Sequence, residues 1–99
     1  MKTGIELIAQ ERAEQIEKHG RTIEHDVTQN YLGKLTIAAR YLLDAVCEKR
    51  PEGVHLANLP NGWNDKIWLK MCSKPYESRI IIAGALIAAE IDRLNAIEP

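Results

Sequence analysis

Ser78-Arg79-Ile80-Ile81-Ile82-Ala83-Gly84-Ala85-Leu86-Ile87-Ala88-Ala89-Glu90-Ile91-Asp92-Arg93-Leu94-Asn95 is the stretch on which the fold turns. Its apolar residues recur at helical spacing: Ile80, Ala83, Ile87, Ile91 and Leu94 form a main face, and Ile81, Gly84, Ala85 and Ala88 a smaller second one. The helix is expected to start near Pro75, a residue suited to a first turn, with Ser73 as its cap, and to run to about Asn95. Two apolar faces need two neighbours. Three helices in so short a chain cover one of them, and Gly84, Ala85, Ala88 and Ala89 are small enough to let another backbone approach closely. The pattern therefore predicts a helical homo-oligomer, most simply a dimer.

Upstream, a first helix is predicted from about Ile5 to His19, with Ile5, Ile8, Ala9 and Ile16 on one stripe and Gly20 as its left-handed end. Arg12 breaks that stripe by falling on its buried side. A second helix, from about Gln29 or Asn30 to Glu48, carries Tyr31, Leu32, Leu35, Ala38, Ala39, Leu42, Leu43 and Val46. These cover more than one narrow stripe, so the helix is central or covered on two sides, and Arg50-Pro51 stops it. Between Pro51 and Pro75 the breakers Gly53, Pro60 and Asn61-Gly62 predict a long loop, with a short helix around Asp65 to Met71. The expected architecture is all-α: a single domain over residues 1–99, a compact bundle of three main helices plus a short helix in the loop.

Composition narrows the setting. The 99 residues include 13 Lys+Arg and 14 Asp+Glu, a net charge of -1, and 45% are hydrophobic. A near-neutral chain argues against coating a nucleic-acid polymer or an anionic membrane, since either needs a basic surface. The longest apolar run, Ile80 to Ala89, is about half of what spans a bilayer. Met1-Lys2-Thr3-Gly4 leads into an amphipathic segment, not the continuous apolar stretch of a signal peptide, so a cytoplasmic setting is expected. Cys47 and Cys72 read as too few and too far apart for a disulfide scaffold or a structural zinc site.

Four constellations carry chemistry. Arg12, with Gln15 one turn on and Glu11 adjacent, brings a guanidinium to the buried side, where it needs a carboxylate or a phosphate. It either pairs internally with Glu90 or Asp92 or lines an anion pocket. In Thr22-Ile23-Glu24-His25-Asp26, the adjacent His25 and Asp26 either relay a proton or, with His19, hold a metal, unless Asp26 or Asn30 simply caps the next helix. Glu11, Glu14 and Glu17 form an acidic ladder which, with Glu90 and Asp92, either binds Mg²⁺ around a phosphate or is simply solvated. Lastly, Trp63-Asn64-Asp65-Lys66-Ile67-Trp68-Leu69-Lys70, followed by Arg79, sets flat indoles beside cations. Such a set suits a base-and-phosphate ligand, unless both Trp anchor the loop on the core.

Two resemblances enter here. Glu11-x-x-Glu14 is similar to the E-x-x-E of all-α nucleoside triphosphate pyrophosphatases of the MazG type, although Glu90-Ile91-Asp92 stands in place of their later E-x-x-D. Glu11-Arg12-x-x-Gln15-Ile16, Gly20-x-Thr22-x-Glu24-His25-Asp26, Trp63-x-x-x-x-Trp68-x-Lys70 and Arg79-x-x-x-Ala83-Gly84-Ala85-Leu86-Ile87-x-Ala89-Glu90-Ile91-Asp92-Arg93-Leu94 together resemble a family of small bacteriophage and prophage proteins, mostly of unassigned function. The likeness spans almost the whole chain and is most specific in the closing helix. It implies a phage or mobile-element setting, and one site shared by Arg12, Gln15, His25, Asp26, Trp68, Lys70 and Arg79. Arg21 stands where relatives often carry Trp, and Val27 where they carry a second Asp, which weakens a metal-carboxylate site.

The favoured reading is non-catalytic binding of a nucleotide-like ligand, with Arg12, Lys70 and Arg79 on phosphates and Trp68 on a base, and with no cofactor or metal. Small phage proteins that sequester a nucleotide signal of host defence would have this character. The first alternative is a Mg²⁺-dependent pyrophosphohydrolase using Glu11, Glu14, Glu90 and Asp92. The second is a protein–protein interaction module working through the oligomer surface. Neither a Ser/His/Asp or Cys/His arrangement nor a glycine-rich phosphate loop stands out in the sequence.

Overall fold

The computed structural model describes residues 1–20, 23, 25, 28, 30 and 33–97, His19 by its backbone alone. Among these residues the chain is all-helical, with α1 Gly4–His19, α2 Lys34–Leu42, a 3-10 turn Cys47–Lys49, α3 Glu52–Ala57, α4 Asp65–Cys72 and α5 Tyr76–Ile97. Thr3 starts α1 through a reciprocal cap: its hydroxyl accepts from the Glu6 N–H while the Glu6 carboxylate accepts from the Thr3 N–H. Gly20 ends it at φ 64°, a left-handed conformation that L side chains resist. Asn64 caps α4 by accepting from the Ile67 N–H. Within these described residues no helix is long and apolar enough to cross a membrane.

α5 is the central element, packed on α2 along one side and on α1 along another, with α4 against its start. The core joins Leu35, Ala38, Ala39 and Leu42 of α2, Trp68, Met71 and Cys72 of α4, and Ile82, Ala83, Leu86 and Ala89 of α5, together with Cys47. On α1, Ile8 seats over Gly84, so closely that a Cβ there would lie 2.7 Å from the Ile8 Cδ1. The expectation that small residues on α5 admit a close neighbour is met within the chain itself, by α1.

Apolar periodicity misjudged which side of α5 the chain covers. The covered positions are Arg79, Ile82, Ala83, Ala85, Leu86, Ala89, Glu90 and Arg93. Of the expected main face only Ala83 is among them; Ile80, Ile87, Ile91 and Leu94 are between 37% and 54% exposed. Three covered residues are charged and satisfied inside the fold, and hydropathy alone gives such residues no weight. On α1, likewise, Arg12 and Gln15 are buried while Ile5 stands 83% exposed.

Arg79 also explains why α2 ends at Leu42 and not at Glu48. Its guanidinium donates to the carbonyls of Leu42 (2.6 Å), Asp44 and Ala45, and it pairs with the Glu48 carboxylate. Its Nε donates to the Lys74 carbonyl at 2.9 Å. Carbonyls that would otherwise continue the helix are turned onto one cation, and the chain leaves α2 for the 3-10 turn. Ser73 closes α4 by donating to the Leu69 carbonyl at 2.7 Å, in place of the expected role at α5. The six-residue α3 is an element that the sequence reading assigned to loop. Tyr31 and Leu32, expected in α2, lie outside the described residues.

Candidate functional site

α1 carries Glu11, Glu14, Gln15 and Lys18 at spacings of three and four residues, which places them along one side of the helix. They face Ile67, Lys70 and Met71 of α4, Lys74 just beyond it and Ile82 of α5, across a cleft of about 310 Å³. A shallower hollow shares Glu11, Glu14, Lys74 and Ile82 and continues toward Leu7 and Ser78, extending the cleft into a groove along α1. Its character is divided. Ile67, Met71 and Ile82 supply an apolar wall, the two glutamates an acidic flank, and the three lysines a cationic one.

Gln15 is the unusual member. It is 3% exposed; its Nε2 donates to the Glu11 carboxylate at 3.3 Å, but its Oε1 accepts no hydrogen bond from the described residues. A buried amide carbonyl without a donor costs about 1–3 kcal/mol, which folding alone gives no reason to retain.

Of the residues expected to form one site, Gln15 and Lys70 share this cleft and the others lie elsewhere. Arg12 is buried, but its guanidinium lies 3.6 Å from Asp92 of α5, the internal pairing anticipated as one of its two readings. Trp68 has no exposed surface. Its indole N–H donates to the His55 carbonyl at 2.7 Å, and its ring packs 5.6 Å from Tyr41 and 5.9 Å from Trp63. Trp63 donates in turn to Asn30 at 3.1 Å, so both tryptophans tie the middle segment to the core. Arg79 is equally inaccessible and its donors are committed to carbonyls and Glu48, which leaves none for a phosphate. His25 is exposed, and its carbonyl accepts from the Thr28 hydroxyl at 3.1 Å. Asp26 lies outside the described residues, as do Thr22, Glu24 and the side chain of His19.

The acidic quartet is also divided. Glu11 and Glu14 line the cleft, whereas Glu90 accepts from Arg93 at 2.6 and 3.1 Å and from the Gly33 N–H at 3.4 Å. The Arg93 hydrogen bonds hold the Glu90 carboxyl below its ordinary value despite burial. Asp92 faces Arg12. The quartet is therefore not gathered around one point.

Lys18 and Lys74 were not singled out from the sequence. The signal for Lys18 was available, since Glu11-x-x-Glu14-Gln15-x-x-Lys18 is a complete helical face; Lys74 follows Lys70 by one turn but sits past the end of α4. Comparison with protein-family models, curated proteins and solved structures returns no match.

Proposed function

We propose that the protein binds a phosphorylated, nucleotide-like small molecule in the cleft between α1, α4 and α5, without transforming it. One observation carries the reading: Gln15, whose buried Oε1 has no donor among the described residues, lines a cavity that also presents Lys18, Lys70 and Lys74. A ligand that satisfies both sides carries N–H donors at one end and anionic oxygens at the other. Nucleotides have that division, with the amino group of a base directed to Gln15 and Glu11 and the phosphates to the lysines. The flat base would lie on Ile67, Met71 and Ile82. About 310 Å³ is at the small end of ligand cavities, which favours a single nucleotide over a dinucleotide.

In this reading the site differs from the expected one. Lys18 and Lys74 replace Arg12 and Arg79 as phosphate partners, and Met71 with its neighbours replaces Trp68 as the platform for the base. The phage-type resemblance adds a setting, sequestration of a nucleotide signal of host defence. We also propose self-association through the exposed stripe Ile80, Ile87, Ile91 and Leu94, which burial in a dimer would remove from water.

The test is calorimetry and thermal shift with linear and cyclic nucleotides. Binding with an affinity weakened at least tenfold by Lys70→Ala with Lys74→Ala supports the reading, and silence across the whole panel ends it. A second reading, Mg²⁺-dependent pyrophosphate release, draws on the presence of Glu11 and Glu14 in the same cleft. Turnover that stops with chelator and with Glu14→Gln would replace binding by catalysis.

A further inference from the structure

Away from the cleft, Cys47 of the 3-10 turn, His55 of α3 and Cys72 of α4 converge on one point in the interior. The two Sγ atoms and an imidazole nitrogen all lie within 4.8 Å of one another. Both cysteines are fully buried, and His55 is 3% exposed. They are unbridged thiols, with Cys47 Sγ 3.8 Å from the Cys72 carbonyl oxygen. We propose that these three side chains form a binding site for one zinc ion, a site separate from the nucleotide cleft.

The donor set is the first reason. Two thiolates and an imidazole are the ligands that a borderline-soft d¹⁰ ion prefers, and two thiolates with a neutral imidazole bring Zn²⁺ to zero net charge, as a buried site requires. Geometry is the second. Bonds of roughly 2.3 Å to sulfur and 2.0 Å to nitrogen put tetrahedral ligand atoms about 3.5–3.8 Å apart, within a small side-chain adjustment of the present spacing. Binding exchanges two S–H protons, released to solvent, for two Zn–S bonds and involves no change of oxidation state.

The surroundings of the imidazole are the third reason. The Tyr41 hydroxyl lies 2.7 Å from the His55 Nδ1, and Trp68 holds the backbone of the same residue by donating to its carbonyl. Metal-bound histidines are oriented by such partners. Among the described cysteine, histidine and acidic residues no fourth joins the group, so the remaining position falls to water or another oxygen donor. The ion would add a stronger link among three short elements that meet through side-chain packing and the hydrogen bonds just described.

The test is anaerobic titration of the reduced, chelator-treated full chain with Co²⁺, followed by Zn²⁺. One Co²⁺ per chain is expected, with sulfur-to-cobalt charge-transfer bands and the visible absorption of a tetrahedral site, displaced stoichiometrically by Zn²⁺. Cys72→Ala and His55→Ala should abolish the bands, while Tyr41→Phe should retain them with affinity lowered about 10- to 100-fold. Protection of both wild-type thiols from alkylation by Zn²⁺ gives a readout that needs no variant to fold. A reduced wild-type chain that shows no charge-transfer bands, bands that persist without either cysteine, or thiols alkylated equally with and without Zn²⁺ would overturn the site.

Discussion

Arg79 and Gln15 are both buried polar side chains, and the fold treats them in opposite ways. The guanidinium of Arg79 donates to four carbonyls and one carboxylate, drawn from the end of α2, the turn after it and the segment just beyond α4. Gln15, which lines the cleft, makes a long hydrogen bond to Glu11, and its buried carbonyl oxygen has no donor among the described residues. The first region is saturated, so it holds the fold together and has nothing to offer a ligand. The second is unsaturated among the described residues, which is why the proposed ligand is assigned to it. Counting partners thus separates a structural cation from a candidate for binding more sharply than residue type does.

The largest expected effect breaks the saturated side. Arg79→Ala takes a donor from four carbonyls, of which that of Asp44 keeps the Cys47 N–H, and from Glu48, and should cost about 3–5 kcal/mol in urea unfolding, the range for removing one member of a buried pair. Chains that remain folded should still bind nucleotide. A loss below about 1 kcal/mol combined with lost binding would reverse the roles assigned to the two regions. Next comes Glu90, held between Arg93 and the Gly33 N–H. Because its folded-state value is lowered, the unfolded chain binds the proton more readily. The pair therefore stabilises fully above the ordinary value of 4.5, and that contribution is lost as pH falls through the lower folded value. Glu90→Gln should cost about 1.5–3 kcal/mol at neutral pH and remove this part of the acid sensitivity, as read from unfolding curves across the acid range.

The same contrast explains what could be read from the sequence. Gly20 and the short helix from Asp65 were legible because their causes are local: a left-handed residue in one case, a stretch between breakers in the other. The end of α2 was not, since its stop is a guanidinium 37 residues away. The covered side of α5 escaped hydropathy because Arg79, Glu90 and Arg93 occupy it. In the cleft, Gln15 and Lys70 were identifiable, whereas Lys18 and Lys74 resemble any solvated lysine until α1 and α4 are seen side by side. The Cys47, His55 and Cys72 group depends on α3, a helix of six residues too short to announce itself by periodicity.

A smaller effect tests the unsaturated side. Gln15→Met replaces the amide with a flexible apolar chain of similar length and removes the lone acceptor. Stability should stay within about 1 kcal/mol of wild type and move upward, while nucleotide affinity falls at least tenfold. Destabilisation beyond that range would mean that Gln15 is satisfied in solution, and the contrast with Arg79 would lose its basis.

The smallest effect concerns the seat that holds α1 over the cleft. Gly84→Ala removes a backbone-entropy cost worth about 1 kcal/mol in a helix interior. The new Cβ, however, would lie 2.7 Å from the Ile8 Cδ1 and 2.9 Å from its Cγ1, so the isoleucine must turn aside. Ile8 is only partly buried and has room to do so. The two terms should nearly cancel, leaving stability within about 0.5 kcal/mol, and the full gain should emerge when Gly84→Ala is made in an Ile8→Ala chain. Nucleotide affinity is the sharper readout. If Ile8 fixes the height of α1 above α5, Gly84→Ala shifts the face bearing Glu11, Gln15 and Lys18 and weakens binding with little change in unfolding. Unaltered affinity would place the support of the cleft at the Arg12–Asp92 contact instead.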